Sequence, residues 1–265
     1  MKTVVITGSA RGFGLTMAKE FLNNNCNVVI SDINQEALEK TKNNLIKEKY
    51  QNFLTIQMDV TKENDIKNLI NEVLEKYNKI DIWINNAGVN QSNLPIWELD
   101  SKEIERLIDI DLKGSILCSK LIMPIMIKNN GGQIFNVEGH GSNDATILGL
   151  SIYGTTKRAV TYFTESLAFE SEKLNTNVLI GKITPGIMIT DFITTSVTGQ
   201  KFELDEKTKK IYNILGDYPE TIAKYIVPRV LTNTQNNVKI AWLTNRKAAF
   251  RFMTSGFNKR NFFDK

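Results

Sequence analysis

The sequence predicts a single doubly wound α/β domain, in which a parallel sheet of about seven strands carries helices on both faces. Two observations support this fold class. Short apolar runs alternate along the chain with amphipathic segments of helical period, as expected for βαβ units. The apolar runs show little polar alternation, which is typical of strands that are covered on both faces. With 265 residues, of which 42% are hydrophobic, the chain is long enough to build such a core.

The predicted elements follow one another along the whole chain. The apolar runs that we predict as strands cover residues 3–7, 27–31, 53–57, 80–85, 132–138, 177–183 and 238–242. Helical patterns lie between them at 13–24, 34–48, 62–77, 101–128, 152–173 and 219–231. Because no repeat, low-complexity tract or linker interrupts this order, we predict one domain over residues 1–265.

Two C-terminal segments differ from this alternation. Residues 186–218 have weak periodicity, and we interpret them as an insertion, the lid, that covers the substrate. Phe192 is a candidate substrate contact, and the apolar lid members that indicate a partly lipophilic pocket are Ile187, Phe192, Ile193 and Phe202. Residues 244–265, the tail, are basic and aromatic, with cations at Arg246, Lys247, Arg251, Lys259 and Arg260. The tail could lie on a membrane surface, at a subunit interface or over the pocket, and packing is the favoured interpretation.

The composition excludes several classes of protein. The formal net charge of +4 is small and spread along the chain, so it gives little reason to expect nucleic-acid binding. Cys26 and Cys118 have no metal or redox spacing and are predicted to be reduced core thiols. The first eight residues already reach a glycine, which argues against a signal peptide, and no apolar run approaches the ~20 residues of a membrane span. We expect a cytoplasmic protein without a metal ion.

A glycine-rich turn follows the first predicted strand and opens the first predicted helix. Gly8 allows a tight turn, Gly12 lets the backbone approach a pyrophosphate, and Gly14 lets the helix pack closely on the sheet. The helix N-terminus then faces the phosphate charge. This context predicts a Rossmann-like dinucleotide site, and the other candidate contacts in the turn are Ser9, Arg11 and Phe13.

The second predicted strand ends at Asp32, which lies 18 residues after Gly14, near the spacing expected for an acid that binds the ribose. A carboxylate there accepts hydrogen bonds from the 2′-hydroxyl of NAD and repels the 2′-phosphate of NADP. Arg11 argues the other way, since a guanidinium beside the turn could pair with that phosphate. Asp32 acts directly on the distinguishing group, so NAD is favoured over NADP.

Several segments together resemble the short-chain dehydrogenase/reductase family, over residues 3 to about 195. The matching segments are "TGSARGFG" from Thr7, "DV" at Asp59–Val60, "NNAG" at Asn85–Gly88, "YGTTK" at Tyr153–Lys157 and "PGIMIT" at Pro185–Thr190. The C-terminal half is also similar to the chlorophyll b reductase-like branch and its bacterial relatives. The resemblance implies a homodimer or homotetramer, and further cofactor contacts at Asp59, Val60, Asn86, Ala87, Gly88, Pro185, Gly186, Met188 and Thr190.

Tyr153 and Lys157 are the candidate catalytic pair. They lie four residues apart at the start of a predicted helix and therefore share one face. The lysine charge favours the phenolate and lowers the tyrosine pKa from its usual value near ~10. In reduction, Tyr153 would protonate the carbonyl oxygen as hydride arrives from the nicotinamide. The resemblance implies that both residues also contact the cofactor, with Lys157 on the nicotinamide ribose.

The segment before Tyr153 departs from the family pattern. Where the family places a serine after the fifth strand, the chain reads Asn136–Val137–Glu138–Gly139. Ser142 is the candidate substitute that orients the substrate oxygen, because the flanking glycines allow the loop to fold inward. His140 could instead donate to that oxygen. Glu138 could bind a polar substrate group or hydrogen-bond the loop backbone.

Asp111 is a second departure. The resemblance aligns it with a helix asparagine whose backbone carbonyl holds a water in the proton relay to the lysine. The carbonyl is still present, so we expect the relay to persist. The extra negative charge would raise the pKa of the tyrosine if it were unpaired, and could lower it by drawing on Lys157.

These observations predict an NAD(P)-dependent oxidoreductase that transfers hydride between the nicotinamide and the carbonyl or secondary alcohol of a small-molecule substrate. Two other functions remain open. The missing serine and Asp111 suggest a dinucleotide-binding sensor or scaffold that has lost turnover. The tail suggests a reductase that acts on a large lipophilic carbonyl at a membrane surface.

Overall fold

The computed structural model describes residues 1–199, 201, 203–257 and 260–263. The predicted lid residue Phe202 and tail residue Lys259 lie outside these ranges. Within them, seven parallel strands form one sheet in the order β3-β2-β1-β4-β5-β6-β7. The strands are β1 Thr3–Ile6, β2 Asn27–Asp32, β3 Phe53–Gln57, β4 Ile82–Asn85, β5 Gly132–Val137, β6 Val178–Thr184 and β7 Val238–Ala241. The predicted fold class is confirmed, and each strand falls within one residue or two of its predicted range.

The helices cover both faces of the sheet. They are α1 Gly12–Asn23, α2 Gln35–Lys47, α3 Glu63–Tyr77, α4 Ser101–Leu107, α5 Gly114–Lys128, α6 Ser151–Lys173, α7 Glu206–Leu215, α8 Pro219–Leu231 and α9 Asn245–Thr254. Alternate residues of β1 point to opposite faces, so Val4 and Ile6 join the core beneath α1 and α8, whereas Val5 joins the core beneath α3 and α5. The predicted core thiols Cys26 and Cys118 are buried and free.

The strand order reverses between β1 and β4, which places a crevice at the carboxyl ends of these two strands. β1 pairs with β2 on one side and with β4 on the other. The glycine turn, Asp32 and the "NNAG" segment all follow the carboxyl ends of these three strands. The fold therefore collects the predicted cofactor residues at one edge of the sheet.

The prediction of one continuous helix over residues 101–128 is wrong in the middle of that range. A π-helical segment, Ile108–Lys113, separates α4 from α5. At the start of α5, a Cβ on Gly114 would lie 2.7 Å from Val60 Cγ2, so the helix approaches the β3–α3 connection closely. Such π segments widen one turn of a helix and often occur at functional sites. Here the segment carries Asp111, which is fully buried.

The lid and the tail are in contact with each other. Both arginines Arg251 and Arg260 form ion pairs with Asp217, at 2.7 and 3.0 Å. Arg251 also donates to the Leu215 carbonyl, and Arg260 to the carbonyls of Gly216 and Ile214. These carbonyls lie at the C-terminal end of α7, where a helix leaves its acceptors free. Among the described residues, no helix is both long and apolar enough to cross a membrane.

Candidate functional site

The glycine turn is held in place by the segment after β4. Thr7 Oγ1 accepts hydrogen bonds from the N–H groups of Asn86 and Ala87, at 3.0 and 2.9 Å. The Asn86 side chain donates to the carbonyls of Thr7 and Gly8, at 2.9 and 3.0 Å. Gly8 has a φ of +61°, and a Cβ there would lie 2.7 Å from Ala87 Cα. Only glycine fits this position.

The outer side of the glycine turn is open, and this is the side on which a cofactor would lie. A Cβ on Gly12, which begins α1, would meet no atom within 4 Å. Arg11 precedes it as the N-cap, is exposed, and makes no side-chain cap hydrogen bond. The first N–H groups of α1 thus face the crevice, as an anion at a helix N-terminus requires. These residues fit a dinucleotide pyrophosphate.

Two candidate cofactor contacts of the turn, Ser9 and Phe13, have buried side chains, so their contact with a cofactor stays a prediction for the backbone alone. The Ser9 hydroxyl is fully buried, donates to the Ile6 carbonyl at 2.6 Å and accepts from the Ser31 N–H at 3.0 Å. It joins β1 to β2 instead of facing the crevice. The Phe13 ring is 5% exposed and packs in the core beneath α1. Gly14 allows the close packing of α1 that the sequence predicts, because a Cβ there would lie 2.7 Å from the Gly8 carbonyl oxygen.

Three predicted cofactor contacts bind or pack against neighbouring segments of the protein: Asp32, Asp59 and Val60. Asp32 is half-buried at the end of β2, and its carboxylate accepts the N–H groups of Asn34 at 3.1 Å and Ala10 at 3.4 Å. The Asp59 carboxylate accepts the N–H and hydroxyl of Thr61, at 2.9 and 2.7 Å, which forms the turn before α3. Val60 is 8% exposed against Gly114, so its side chain supports α5 and offers little surface to a cofactor.

Tyr153, Lys157 and Asp111 form a buried cluster beside the crevice. They are 7%, 6% and 0% exposed. Lys157 Nζ lies 3.2 Å from Asp111 Oδ2 and 5.4 Å from the centroid of the Tyr153 ring. The other carboxylate oxygen of Asp111 accepts the Val89 N–H at 2.8 Å. The π segment thus lets a side chain from the α4–α5 region reach the first turns of α6.

The three groups alter one another's ionisation. Burial raises the pKa of Tyr153 to about 12, while the Lys157 charge lowers it and the Asp111 charge raises it. Burial also raises the pKa of the Asp111 carboxyl, and Lys157 opposes this effect. Burial disfavours the Lys157 ammonium, yet Asp111 and Tyr153 outweigh it, so the pKa of Lys157 is raised. The carboxylate therefore acts on the tyrosine directly and through the lysine.

The structure does not place Ser142 where a substrate-orienting serine is needed. Its hydroxyl accepts the Gly139 N–H and donates to the Lys157 carbonyl, both at 3.3 Å. Gly139 is the residue that faces the tyrosine, because a Cβ there would collide with Tyr153 Oη and lie 3.1 Å from Lys157 Cγ. Ser142 thus holds the loop against α6. The spacing suggested an inward serine, but its hydroxyl is bound by one backbone group of the loop and one of α6.

His140, the other candidate in this loop, is half-buried. Its Nε2 atom is fully buried and finds no hydrogen-bond partner among the described residues. Burial lowers the pKa of the imidazole, so the neutral form prevails near pH 7. A neutral imidazole can donate or accept one hydrogen bond at this nitrogen. His140 therefore remains a candidate for the substrate oxygen.

Glu138 is a structural residue, which corrects the expectation that it binds substrate or loop backbone. Its carboxylate accepts the hydroxyls of Thr161 at 3.0 Å and Thr184 at 2.6 Å, and pairs with Lys239 Nζ at 2.8 Å. The side chain is fully buried. It joins α6, β6 and β7. Its oxygens are occupied by partners that the sequence could not show, because these residues lie far along the chain.

We expect Glu138→Ala to destabilise the protein by about 2–4 kcal/mol, since the Thr184 hydroxyl and the Lys239 ammonium lose the partner described here and a cavity forms. Urea unfolding followed by circular dichroism measures this change. Glu138→Gln is the matched control: it keeps the shape and an acceptor and should lose less than half as much. An unchanged unfolding free energy with a raised KM would instead indicate a substrate contact.

The aromatic side chain of Phe192 brings the lid into contact with the tyrosine. The rings of Phe192 and Tyr153 have centroids 6.0 Å apart and are tilted by 59°. The Asn90 side chain donates to the Phe192 carbonyl at 3.2 Å, and the Val197 N–H donates to the Asn90 carbonyl at 2.6 Å. The lid is thereby tied to the loop after β4.

The "PGIMIT" segment leads from β6 into the lid. Pro185 is buried, and Gly186 has a φ of +76° and lies against Leu243. Met188 forms an isolated β-bridge with Asp217 and packs against the core, whereas Thr190 is half-buried at the start of the turn that carries Phe192. The segment thus connects β6 to the turn that carries Phe192, and its contact with the carboxamide of a cofactor stays a prediction.

The comparison with protein families decides the class. The family model for short chain dehydrogenase matches residues 2–201. The chain belongs to the short-chain dehydrogenase family. The matched span contains the glycine turn, Asp111 and the tyrosine–lysine pair, which is the region where the sequence motifs predicted this membership.

The curated relatives of this dehydrogenase include plant reductases. It is 31% identical over 280 residues to probable chlorophyll(ide) b reductase NYC1, chloroplastic, of Arabidopsis thaliana, which covers 99% of this chain and 55% of the relative. It is 34% identical over 259 residues to chlorophyll(ide) b reductase NOL, chloroplastic, of Oryza sativa subsp. japonica, which covers 95% and 74%. The chain thus spans about half the length of the first relative. The predicted resemblance to this branch is confirmed.

Solved structures of the family share the fold. A 3-ketoacyl-(acyl-carrier-protein) reductase from Brucella melitensis complexed with NADH superposes with a TM-score of 0.80 at 23% identity, covering 93% of this chain and 98% of the other. ElxO with NADP bound gives 0.77 at 27% identity, covering 91% and 96%. Both structures share the fold of this chain, and each is described with a bound nicotinamide dinucleotide.

Two residues of the dehydrogenase site were not predicted. Gln91 is fully buried, and its Oε1 accepts the N–H groups of Ile152 and Tyr153, at 2.9 and 3.1 Å. It satisfies free donors at the start of α6 and so fixes the backbone of the tyrosine. Gly139 was noted only as a flexible neighbour. Its closeness to the tyrosine hydroxyl depends on how the loop turns, for which the sequence carries no signal.

Proposed function

We propose that this dehydrogenase transfers hydride between NAD and a carbonyl or secondary alcohol, with Tyr153 as the general acid and base. The observation that carries the proposal is the buried cluster of Tyr153, Lys157 and Asp111 at the edge of the crevice. A tyrosine hydroxyl with an adjacent ammonium can give up and recover a proton. The nicotinamide, when bound, supplies or accepts the hydride.

In reduction, the Tyr153 hydroxyl would donate its proton to the carbonyl oxygen of the substrate as negative charge develops there. The phenolate that remains is stabilised by Lys157, whose ammonium is held in place by Asp111 at 3.2 Å. The buried surroundings strengthen these interactions because little water screens them. The names of the plant relatives favour reduction as the physiological direction.

The direct test is turnover with NADH or NADPH over a panel of aldehydes and ketones, together with oxidation of the matching alcohols by NAD or NADP. We expect measurable change in absorbance at the nicotinamide band with at least one carbonyl class. A dehydrogenase that binds dinucleotide but turns over none of them would favour the sensor or scaffold. The observation behind that second candidate is Gly139, which leaves no side chain where the family pattern has a serine.

We propose that NAD is preferred because Asp32 lies at the end of β2 with a half-buried carboxylate. Asp32→Asn removes the charge that would repel a 2′-phosphate, so the ratio of Kd values for NADP and NAD should fall by about 10- to 100-fold, equivalent to about 1.4–2.7 kcal/mol. Titration of protein fluorescence with each cofactor measures the ratio. Asp59→Asn, whose carboxylate closes a local turn, is the control and should leave the ratio unchanged. Equal ratios for Asp32→Asn and wild type would contradict the assignment.

Asp111 is proposed to set the pH dependence of the reaction. Asp111→Asn keeps an acceptor for the Val89 N–H but removes the charge that raises the pKa of Tyr153. The phenolate then forms more readily, so the rise of alcohol oxidation with pH should shift to lower pH. An unchanged profile would show that Asp111 does not tune the tyrosine. Asp111→Leu, by contrast, leaves the buried ammonium unpaired and should destabilise the protein by about 3–5 kcal/mol.

A further inference from the structure

Large apolar side chains are exposed on the loops beside the catalytic tyrosine. Their exposed fractions are largest at Trp97 and Leu148, at 80% and 81%. We call the set the apolar rim, and its members are Leu94, Ile96, Trp97, Ile147, Leu148 and Phe192. Single exposed apolar residues are ordinary on a protein surface, whereas a set gathered on adjoining loops indicates a binding surface.

The two loops that carry five of these residues touch each other. A Cβ on Gly149 would lie 3.0 Å from the carbonyl carbon of Asn93, so the backbones are in contact there. Leu148 and Leu94 are the next residues along each loop. The contact therefore brings the two sets of apolar residues to one place.

The same loops are joined to Tyr153 and to the lid. Gln91 accepts the backbone N–H of Tyr153 at 3.1 Å, and Asn90 binds the Phe192 carbonyl at 3.2 Å. Phe192 in turn contacts the Tyr153 ring, with centroids 6.0 Å apart. The rim is thus continuous with the ring of the tyrosine that is proposed to protonate the substrate.

We propose that the apolar rim binds the body of the substrate, and that the substrate is an extended lipophilic molecule with its carbonyl or alcohol at one end. This inference rests on the proposed function, since the reacting end must reach Tyr153. Continuity of the rim with the catalytic cluster selects the substrate as its occupant, because a substrate whose reacting group lies at Tyr153 can extend past Phe192 onto these loops. The lid supplies Phe192 as the contact between the two regions.

The test uses methyl ketones from 2-butanone to 2-undecanone with NADH. Each added methylene that reaches the rim should raise kcat/KM about fourfold, the factor for removing one CH₂ group from water. Trp97→Ser and Leu148→Ser should reduce kcat/KM for 2-undecanone at least tenfold more than for 2-butanone. Phe257→Ser on the exposed side of the tail, where the ring is 96% exposed, is the control and should keep the chain-length dependence of wild type.

A binding measurement separates this inference from the proposed function. Calorimetric titration with 2-undecanol should give a lower Kd than with 2-butanol in wild type, and the difference should shrink in Trp97→Ser. If no ketone is reduced but this binding difference is present, the proposed function fails while the rim assignment stands. If ketones are reduced at rates independent of chain length, the rim assignment is overturned while the function stands.

The same variants also test two other possible occupants of the apolar rim, which are a second copy of the chain and a membrane. Sedimentation velocity would show a change of mass in Trp97→Ser and Leu148→Ser if a second copy of the chain covered the rim. Co-sedimentation with phosphatidylcholine vesicles would fall in these variants if the rim contacted a membrane. Either change, together with an unaltered chain-length dependence, would overturn the assignment of the rim to the substrate.

Discussion

Tyr153→Phe should lower kcat/KM for carbonyl reduction by about 10²- to 10⁴-fold, the usual contribution of a positioned acid. The substitution keeps the ring that contacts Phe192 and lies near Lys157, and removes only the hydroxyl. Packing should therefore change little, and the loss reports the proton transfer. The measurement is steady-state oxidation of NADH with a substrate found in the panel.

Tyr162→Phe is the matched control for this result. Tyr162 lies on the same helix, α6, and is 73% exposed, so loss of its hydroxyl should leave kcat/KM unchanged. The Kd for NADH and the melting temperature of both variants should stay close to wild type. If Tyr153→Phe turned over substrate as fast as the control, another group would be the acid and the proposed mechanism would be wrong.

Gly139→Ala should reduce kcat by about 10²-fold, because the new Cβ displaces the tyrosine hydroxyl, and a shift of ~1 Å at a reacting group has effects of this size. The collision involves Tyr153 Oη, the end of a rigid ring that is itself 7% exposed. Gly139→Ser, which would bring the sequence closer to the family pattern, carries the same Cβ and should lose activity as well. Stopped-flow measurement of a single turnover would isolate this step.

Ser142→Ala is the comparison on the same loop. Its hydroxyl binds the Gly139 N–H and the Lys157 carbonyl, so its loss should loosen the loop and lower kcat by less than about tenfold. The opposite order, with Ser142→Ala inactive and Gly139→Ala normal, would show that the serine turns toward the substrate during the reaction. His140→Ala then tests the remaining polar group of the loop.

The sheet and the cofactor turn were predictable because their signals are local. A strand buried on both faces needs a continuous apolar run such as "TVVIT", and a turn at positive φ beside another chain segment needs a glycine such as Gly8. The helical spacing of Tyr153 and Lys157 likewise requires no tertiary information. These parts could be stated from the order of residues alone.

The orientation of polar side chains could not be predicted in the same way. Glu138 binds residues of α6, β6 and β7, and Gln91 caps α6 from 62 residues away. Ser9 is a candidate cofactor contact because it lies in the turn, but its hydroxyl binds the Ile6 carbonyl and the Ser31 N–H, which the sequence does not indicate. The π segment, which inserts one residue into a turn, leaves no mark in the hydrophobic period of 101–128. Each of these features depends on contacts between residues that are distant in the sequence but close together in the fold.

The arginine contacts between lid and tail have a consequence for motion. Arg251 and Arg260 hold the last carbonyls of α7, and both meet at Asp217 just before α8. Opening of α7 must then break the same interactions that keep α9 in place, so the two helices should open together. In native-state hydrogen exchange, the amides of Glu206–Leu215 and Asn245–Thr254 would share one opening free energy and one response to denaturant. The substrate cover and the end of the chain would behave as one cooperative unit.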